Sequence, residues 1–241
     1  MMPASSPFLL GILGGMGPLA TADLLQKIIA ATPAERDQQH VPLVVWNVPQ
    51  IPDRQRALAG TGPSPLPALR DGVSRLNRLG ASHIAIACNT AHHWFDDLQA
   101  SSEAPLLHIA DAALSQLTTA APPSERRIGL IATHGTLAAG WYQQRLAERG
   151  MTPVLPDADE LETLFVPGCY AVKRGEVAAG GRLFEQLAER LAERGAERLI
   201  LACTEVAPGL DAIRSRWLQR SIDTTQALAL ACVALWRPSS P

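Results

Sequence analysis

The chain of 241 residues carries two echoes of itself, and they restrict the folds open to it. Gly80-Ala81-Ser82-His83-Ile84-Ala85-Ile86-Ala87-Cys88-Asn89-Thr90 matches Gly195-Ala196-Glu197-Arg198-Leu199-Ile200-Leu201-Ala202-Cys203-Thr204-Glu205 in kind: a glycine, an apolar run, a small residue, a cysteine, a polar residue. The two cysteines are 115 positions apart, 88 against 203. Gly11-Ile12-Leu13-Gly14-Gly15-Met16-Gly17-Pro18 echoes Gly129-Leu130-Ile131-Ala132-Thr133-His134-Gly135-Thr136 at 118 positions, 11 against 129. Two offsets this close imply an internal duplication. Each copy then has a glycine-bearing loop after its first strand and a thiol at the end of a later one.

Continuous apolar runs such as Phe8–Leu13 suit parallel strands buried on both faces. They alternate with helical stripes such as Leu24, Leu25, Ile28 and Ile29. Strands are expected at Leu43–Trp46, His83–Ala87, Leu106–Ile109, Arg127–Ala132, Arg198–Ala202 and Leu218–Ile222. Helices are expected at Leu66–Leu79, Ala91–Gln99, Ala112–Leu117, Leu137–Arg149, Leu183–Arg194 and Gln226–Trp236, with one over Glu160–Val172 interrupted at Pro167-Gly168. The proline-rich stretch from Val48 to Pro67 reads as a long surface loop, a common carrier of function, and Ala120–Ser124 as a connector. The pattern predicts an α/β fold of parallel sheets with right-handed crossovers, and the length suits one large domain or two small ones. Ligands of such sheets bind at the carboxyl ends of the strands. Gly14–Gly17, Cys88–Thr90, Thr133–Thr136 and Cys203–Glu205 all fall on that edge.

Composition narrows the function. The formal net charge is −2 and no long basic run occurs, which argues against a nucleic-acid partner. The apolar runs are far too short to span a membrane. Phe8–Leu13 has no basic residue before it and glycines directly after it, so it reads as a buried strand and not a signal peptide. Four scattered cysteines without a Cys-x-x-Cys pair form neither a disulfide framework nor a zinc motif, and a cytoplasmic setting is the default.

Thiols at strand ends, ahead of helices, are suited to proton transfer, because a helix N-terminus favours the thiolate. A single such cysteine is more often a small core residue. The matched positions of Cys88 and Cys203, each followed by polar residues, favour the catalytic role. Cys169 and Cys232 lack a strand-end setting and read as core. The glycine spacing at Gly11–Gly17 is not that of a dinucleotide loop, and no acidic residue ends the next strand. His92 and His93 are adjacent, a poor geometry for a shared metal. His92 is placed to pack or hydrogen-bond near the Cys88 loop, and His134 to line the second loop or serve structurally. Thr133 is a backbone donor or a helix cap.

Gly11-Ile12-Leu13-Gly14-Gly15-Met16-Gly17-Pro18, Cys88-Asn89-Thr90-Ala91-His92 and Ala202-Cys203-Thr204-Glu205 together resemble the cofactor-independent aspartate/glutamate racemase family, its aspartate branch above all. Asn47-Val48-Pro49-Gln50-Ile51-Pro52-Asp53-Arg54 and Tyr170-Ala171-Val172-Lys173 resemble that branch's substrate-binding segments. The resemblance runs from about Gly11 to the last helix. It implies an α/β fold of two pseudo-symmetric, flavodoxin-like domains, each a parallel sheet flanked by helices, expected over residues 1–104 with 213–241 and over 105–212. It also implies an active site in the inter-domain cleft, Cys88 and Cys203 as paired catalytic thiols, a homodimer, and no need for pyridoxal phosphate or a metal. It implies a dicarboxylic amino-acid substrate held by Met16, Gly17, Asn47, Arg54, Asn89, Thr90, Thr133, Lys173, Thr204 and Glu205. Arg54 and Lys173 are 119 positions apart and suit two carboxylates. Glu205 stands where glutamate racemases often carry histidine, and the first loop lacks their acidic residue and serine, which favours aspartate. A broader-specificity or glutamate racemase, a related hydantoin racemase, maleate isomerase or decarboxylase, and a non-catalytic small-molecule binder are the alternatives.

Overall fold

A computed structural model describes residues 8–120 and 126–236. They form two compact units, residues 8–109 with 228–236 and the described residues of 110–227. Each unit holds one four-stranded sheet, parallel throughout.

The first unit contains β1 (Leu10–Gly14), α1 (Pro18–Ala31), β2 (Leu43–Asn47), α2 (Arg54–Leu58), α3 (Leu66–Arg78), β3 (His83–Ile86), a 3₁₀ turn at Thr90–Trp94, α4 (Phe95–Ala100) and β4 (Leu106–Leu107). Its strand order is β2-β1-β3-β4. β1 is central, with Leu10 opposite both Leu43 and His83, and Gly14 opposite Asn47. Side chains alternate across the strands as a doubly covered sheet requires. Leu13, Ile84 and Ile86 pack with Leu69, Val73 and Leu76 of α3. Leu10, Ile12 and Ala85 pack on the other side with Leu24 and Ile28 of α1 and with Leu228, Ala229 and Cys232 of the last helix. The loop after β1 is pinned by Thr21, whose Oγ1 accepts the Gly15 N–H at 2.9 Å and donates to the Gly17 carbonyl at 3.1 Å. No side chain fits at Gly15: φ is +99° and a Cβ would lie 2.3 Å from the backbone of Val48.

The second unit runs through α5 (Ile109–Ala120), β5 (Arg127–Ala132), α6 (His134–Ala139), α7 (Trp141–Glu148), β6 (Thr152–Val154), α8 (Ala158–Glu160), a π turn (Leu161–Phe165), α9 (Val166–Lys173), α10 (Val177–Glu193), β7 (Arg198–Ala202), α11 (Val206–Ala212) and β8 (Ser221–Asp223). α12 (Thr224–Leu235) then returns the chain to the first unit. The strand order β6-β5-β7-β8 repeats that of the first sheet. The duplication legible in the sequence is therefore a duplication of topology. The core gathers Ile131, Leu199 and Leu201 with Phe165, Phe184, Leu187, Leu191 and Leu210.

Several expectations are corrected. β4 pairs with β3 through Ile84 opposite Leu106, and β8 pairs with β7 through Ile200 opposite Ile222. The expected division at 104/105 and 212/213 therefore gives way to 109/110 and 227/228. The stretch from Val48 to Pro67 is not all loop: Asp53 caps α2, its carboxylate accepting the Arg56 N–H at 2.9 Å. Pro167 does not interrupt its helix. The π turn leads directly into α9, with Pro167 in the first turn after it. Gly140, at φ +75°, divides the helix expected over Leu137–Arg149. β6 was not expected from Thr152-Pro153-Val154; as an edge strand it tolerates proline. Of the expected connector, residues 121–124 lie outside the described residues. No helix among the described residues is long and apolar enough to cross a membrane.

One charged pair in the second unit has a readable pH signature. Glu160 receives Arg194 through two bonds of 2.6 Å and also accepts the Asp157 N–H at 2.9 Å. The Arg194 bonds hold the Glu160 carboxyl below its ordinary range, against the opposing effect of burial. A depressed folded-state pKa contributes stability that is present above the unfolded value and lost as pH falls through the folded one. Glu160→Gln is expected to cost about 1 kcal/mol at neutral pH and nothing on the acid side of both values, because the pair is partly open to solvent. Thermal unfolding of both proteins across the acid range checks this; a cost that does not fade on acidification would contradict it.

Candidate active site

In the first unit, Cys88 lies just past β3 and is 5% exposed. Its N–H bonds the Ile86 carbonyl at 2.8 Å, a tight turn that carries the chain into the Thr90–Trp94 turn. His92 secures this bend from below. Its Nε2 accepts the Ile109 N–H at 3.2 Å, so the proton sits on Nδ1, which donates to the Cys88 carbonyl at 2.9 Å. His92 also stacks on Phe95, with ring centroids 5.9 Å apart. It is thus a support for the Cys88 backbone, as its sequence position suggested. Asn89 and Thr90 are buried beside it.

Two neighbouring segments converge on the same strand edge. Met16 and Ile51 share an apolar cluster with Cys88. Arg54, at the start of α2, donates to the carbonyls of Pro52 at 3.1 Å, Ile51 at 3.3 Å and Met16 at 3.4 Å. It thereby ties the segment after β2 to the glycine loop after β1, while its Nε is buried with no hydrogen-bond partner among the described residues. Gln55, the next residue, donates to Thr90 Oγ1 at 3.2 Å. Nothing in the sequence singled out Gln55, because the proline-rich context concealed the short helix that aims it. Gly17 follows Met16 in the first loop, and Asn47 stands exposed at the end of β2, opposite Gly14.

In the second unit, Cys203 lies just past β7, 7% exposed and followed by the buried pair Thr204 and Glu205. The Cys203 thiol donates to Glu205 Oε2 at 3.0 Å, and Thr204 Oγ1 donates to the same oxygen at 3.1 Å. Lys173 Nζ donates to the other oxygen, Oε1, at 2.7 Å. Lys173 ends α9, and Cys169 stands one turn earlier on the same helix face. That spacing sets both over the Cys203–Glu205 turn. Cys169 Sγ lies 3.8 Å from Cys203 Sγ. Cys169 is buried as expected of a core residue, but its thiol also contacts that of Cys203, which no local signal in the sequence showed. Cys232 is a core residue of the first unit, its thiol pushed up to about 12 by burial.

The electrostatics follow from these contacts. Burial would raise the Glu205 carboxyl, but the Lys173 charge and the donors Lys173, Cys203 and Thr204 outweigh it and hold the group below its ordinary range. The Cys203 thiol is pushed well above its ordinary value by the Cys169 contact, by burial and by the neighbouring carboxylate. Glu205 is therefore a carboxylate facing a protonated Cys203. Thr133 caps α6, accepting the Thr136 N–H at 3.1 Å, which is the structural alternative raised for it. His134 pairs with Glu162 at 3.0 Å on the exposed surface.

Comparison with known proteins agrees with this architecture. Residues 13–232 match the Asp/Glu/hydantoin racemase family model. The chain is 30% identical to the aspartate racemase of Picrophilus torridus, with a TM-score of 0.82 over 94% of this chain and 93% of that one. It is 25% identical to a broad specificity amino-acid racemase of Bacillus subtilis, over 95% of this chain and 98% of that protein. A glutamate racemase of Bacillus anthracis shares the fold at 19% identity, with a TM-score of 0.70 over 95% and 82% of the two chains. On the match across both sheets, the chain belongs to the Asp/Glu/hydantoin racemase family and is an isomerase of that family.

Proposed function

We propose that this chain is an amino-acid racemase that interconverts L- and D-aspartate with two thiols and without a cofactor. The observation that carries it is the matched pair: Cys88 follows the third strand of the first sheet, and Cys203 the equivalent strand of the second. Proton removal from one face of Cα and return to the other needs two groups in opposite protonation states. Cys203, held as a thiol beside Cys169 and Glu205, is the acid in the resting enzyme. Cys88, as thiolate, is then the base for one enantiomer. For the other, the roles swap: Glu205 Oε2 takes the Cys203 proton across the 3.0 Å bond, Cys203 as thiolate removes the α-proton, and Cys88 as thiol returns one to the opposite face.

The carbanion formed next to a carboxylate is the costly species, and preorganised donors lower its energy most. Asn89, Thr90, Thr133, Thr204 and the first loop at Met16-Gly17 supply backbone and side-chain donors in this reading. Arg54, Asn47 and Lys173 hold the two carboxylates, and Glu205 the ammonium when it is not engaged with Cys203. The aspartate assignment draws on the Picrophilus torridus relative and on the absence of the first-loop acid and serine. The likeness to a broad specificity racemase favours a second reading, a wider set of amino acids. Homodimerisation, through family resemblance, and a cytoplasmic setting, the default for scattered unpaired cysteines, belong to the same proposal.

Proton NMR of L-aspartate with the protein in D₂O, under reducing conditions and without added cofactor, tests the assignment. The α-proton signal is expected to disappear as D-aspartate accumulates. Exchange with other amino acids but not aspartate would replace the substrate; no exchange with any would sink the racemase reading.

A further inference from the structure

Cys169, Cys203 and Glu205 present two sulfurs and a carboxylate oxygen within 4.8 Å of one another, all on buried residues. We propose that these three side chains form a binding site for a thiophilic divalent cation of the zinc type, and that occupancy removes Cys203 from proton transfer. Cys169 has no part in the proposed proton transfer, so the metal site goes beyond that chemistry, while its inhibitory effect rests on the role of Cys203 in that reading.

Two of the three separations lie near those of a tetrahedral ion, and the third, within 4.8 Å, closes as the ion draws Cys169 and the carboxylate together. Two thiolates bound at about 2.3 Å to a tetrahedral centre stand about 3.8 Å apart. The Cys169 and Cys203 sulfurs are already 3.8 Å apart. A thiolate and a carboxylate oxygen on such an ion stand about 3.6 Å apart. Cys203 Sγ and Glu205 Oε2, now hydrogen-bonded at 3.0 Å, need to open by only a fraction of an ångström. The charges also close. Binding releases the two thiol protons to solvent, leaving two thiolates and the Glu205 carboxylate against the dication and the Lys173 ammonium, with no net charge. Lys173 bonds Oε1 and leaves Oε2 to the ion, so the cation already present does not occupy the metal's position. Water fills the fourth position. Sulfur donors select zinc-type ions over magnesium or calcium.

The site is built from different parts of the chain: α9 provides Cys169, and the turn after β7 provides Cys203 and Glu205. None of the three is a standard zinc-motif neighbour of another, which is why no metal pattern appeared in the sequence.

Anaerobic titration of the full chain with Co²⁺, in a non-thiol reductant, reads the site directly. A thiolate-to-cobalt charge-transfer band in the near ultraviolet is expected, saturating at one equivalent and bleached by Zn²⁺. Cys169→Ala is expected to lose the band and to weaken Zn²⁺ binding by more than ~100-fold, beyond the cost of losing an outer-shell partner. Cys88→Ser is expected to keep it. Absence of the band in the wild-type chain, or its full retention in Cys169→Ala, would overturn the site. Glu205→Gln provides a second test if Cys169→Ala fails to fold, with weakened Co²⁺ binding expected and unchanged binding contradicting the proposal. Aspartate exchange without a cobalt band rejects the metal site alone. A cobalt band without exchange rejects the racemase reading alone.

Discussion

Cys88→Ser and Cys203→Ser are each expected to lower turnover by roughly 10²–10⁴-fold, the usual contribution of a positioned acid or base. A serine hydroxyl keeps the shape but is far too weak an acid to exchange roles near neutral pH. The informative difference between the two lies in isotope exchange. A variant with one thiol still carries the base for one enantiomer. It should therefore wash deuterium into that enantiomer more readily than it inverts it, with opposite preferences in the two variants. Both rates come from one experiment, proton NMR in D₂O combined with chiral chromatography. Loss of activity in only one variant would mean a single-base enzyme. Retention of activity in both would exclude thiol catalysis.

Lys173→Met should act on stability as well as activity. Glu205 is buried, and its charge is offset mainly by the Lys173 ammonium at 2.7 Å. Removing one partner of a buried pair leaves an uncompensated carboxylate, at a cost of about 3–5 kcal/mol where both partners are buried. Lys173 is 40% exposed, so water recovers part of that, and a cost of about 2 kcal/mol is expected. Adding Glu205→Gln to Lys173→Met removes the stranded charge and should restore much of the loss. Denaturant unfolding of the two singles and the double gives the coupling, expected at about 1–3 kcal/mol for residues in direct contact. Additive effects would show that the pair carries no shared stabilisation. Activity should stay low in all three, because Cys203 loses either its acceptor or the cation that fixes it.

These experiments bear on contacts of different legibility. The longer strands, β1, β2, β3, β5 and β7, were readable because a strand buried on both faces is apolar throughout; the strand expected at Leu218–Ile222 is instead a 3₁₀ turn followed by β8, and β6 was missed. The two strand-end cysteines stood out because the duplication repeated them. Arg54 was identified by resemblance, but its role in joining the segment after β2 to the glycine loop comes from bonds to the carbonyls of Ile51, Pro52 and Met16. Gln55 was missed because the short helix α2 depends on one cap, Asp53, within a run of prolines.

By itself, then, the sequence determined the alternating α/β class, the duplication and the strand-edge thiols, since each follows from local periodicity or from a pattern met twice. Tertiary structure decided which sheet received the short strands β4 and β8, because two or three residues carry too little periodicity to choose a partner and hydrogen-bond register makes the choice. It also decided the surroundings of Cys203. Cys169 and Lys173 lie 34 and 30 positions before it. Only the packing of α9 against the end of β7 brings a second thiol and an ammonium to the Cys203–Glu205 turn, and no local rule encodes a contact between segments so far apart.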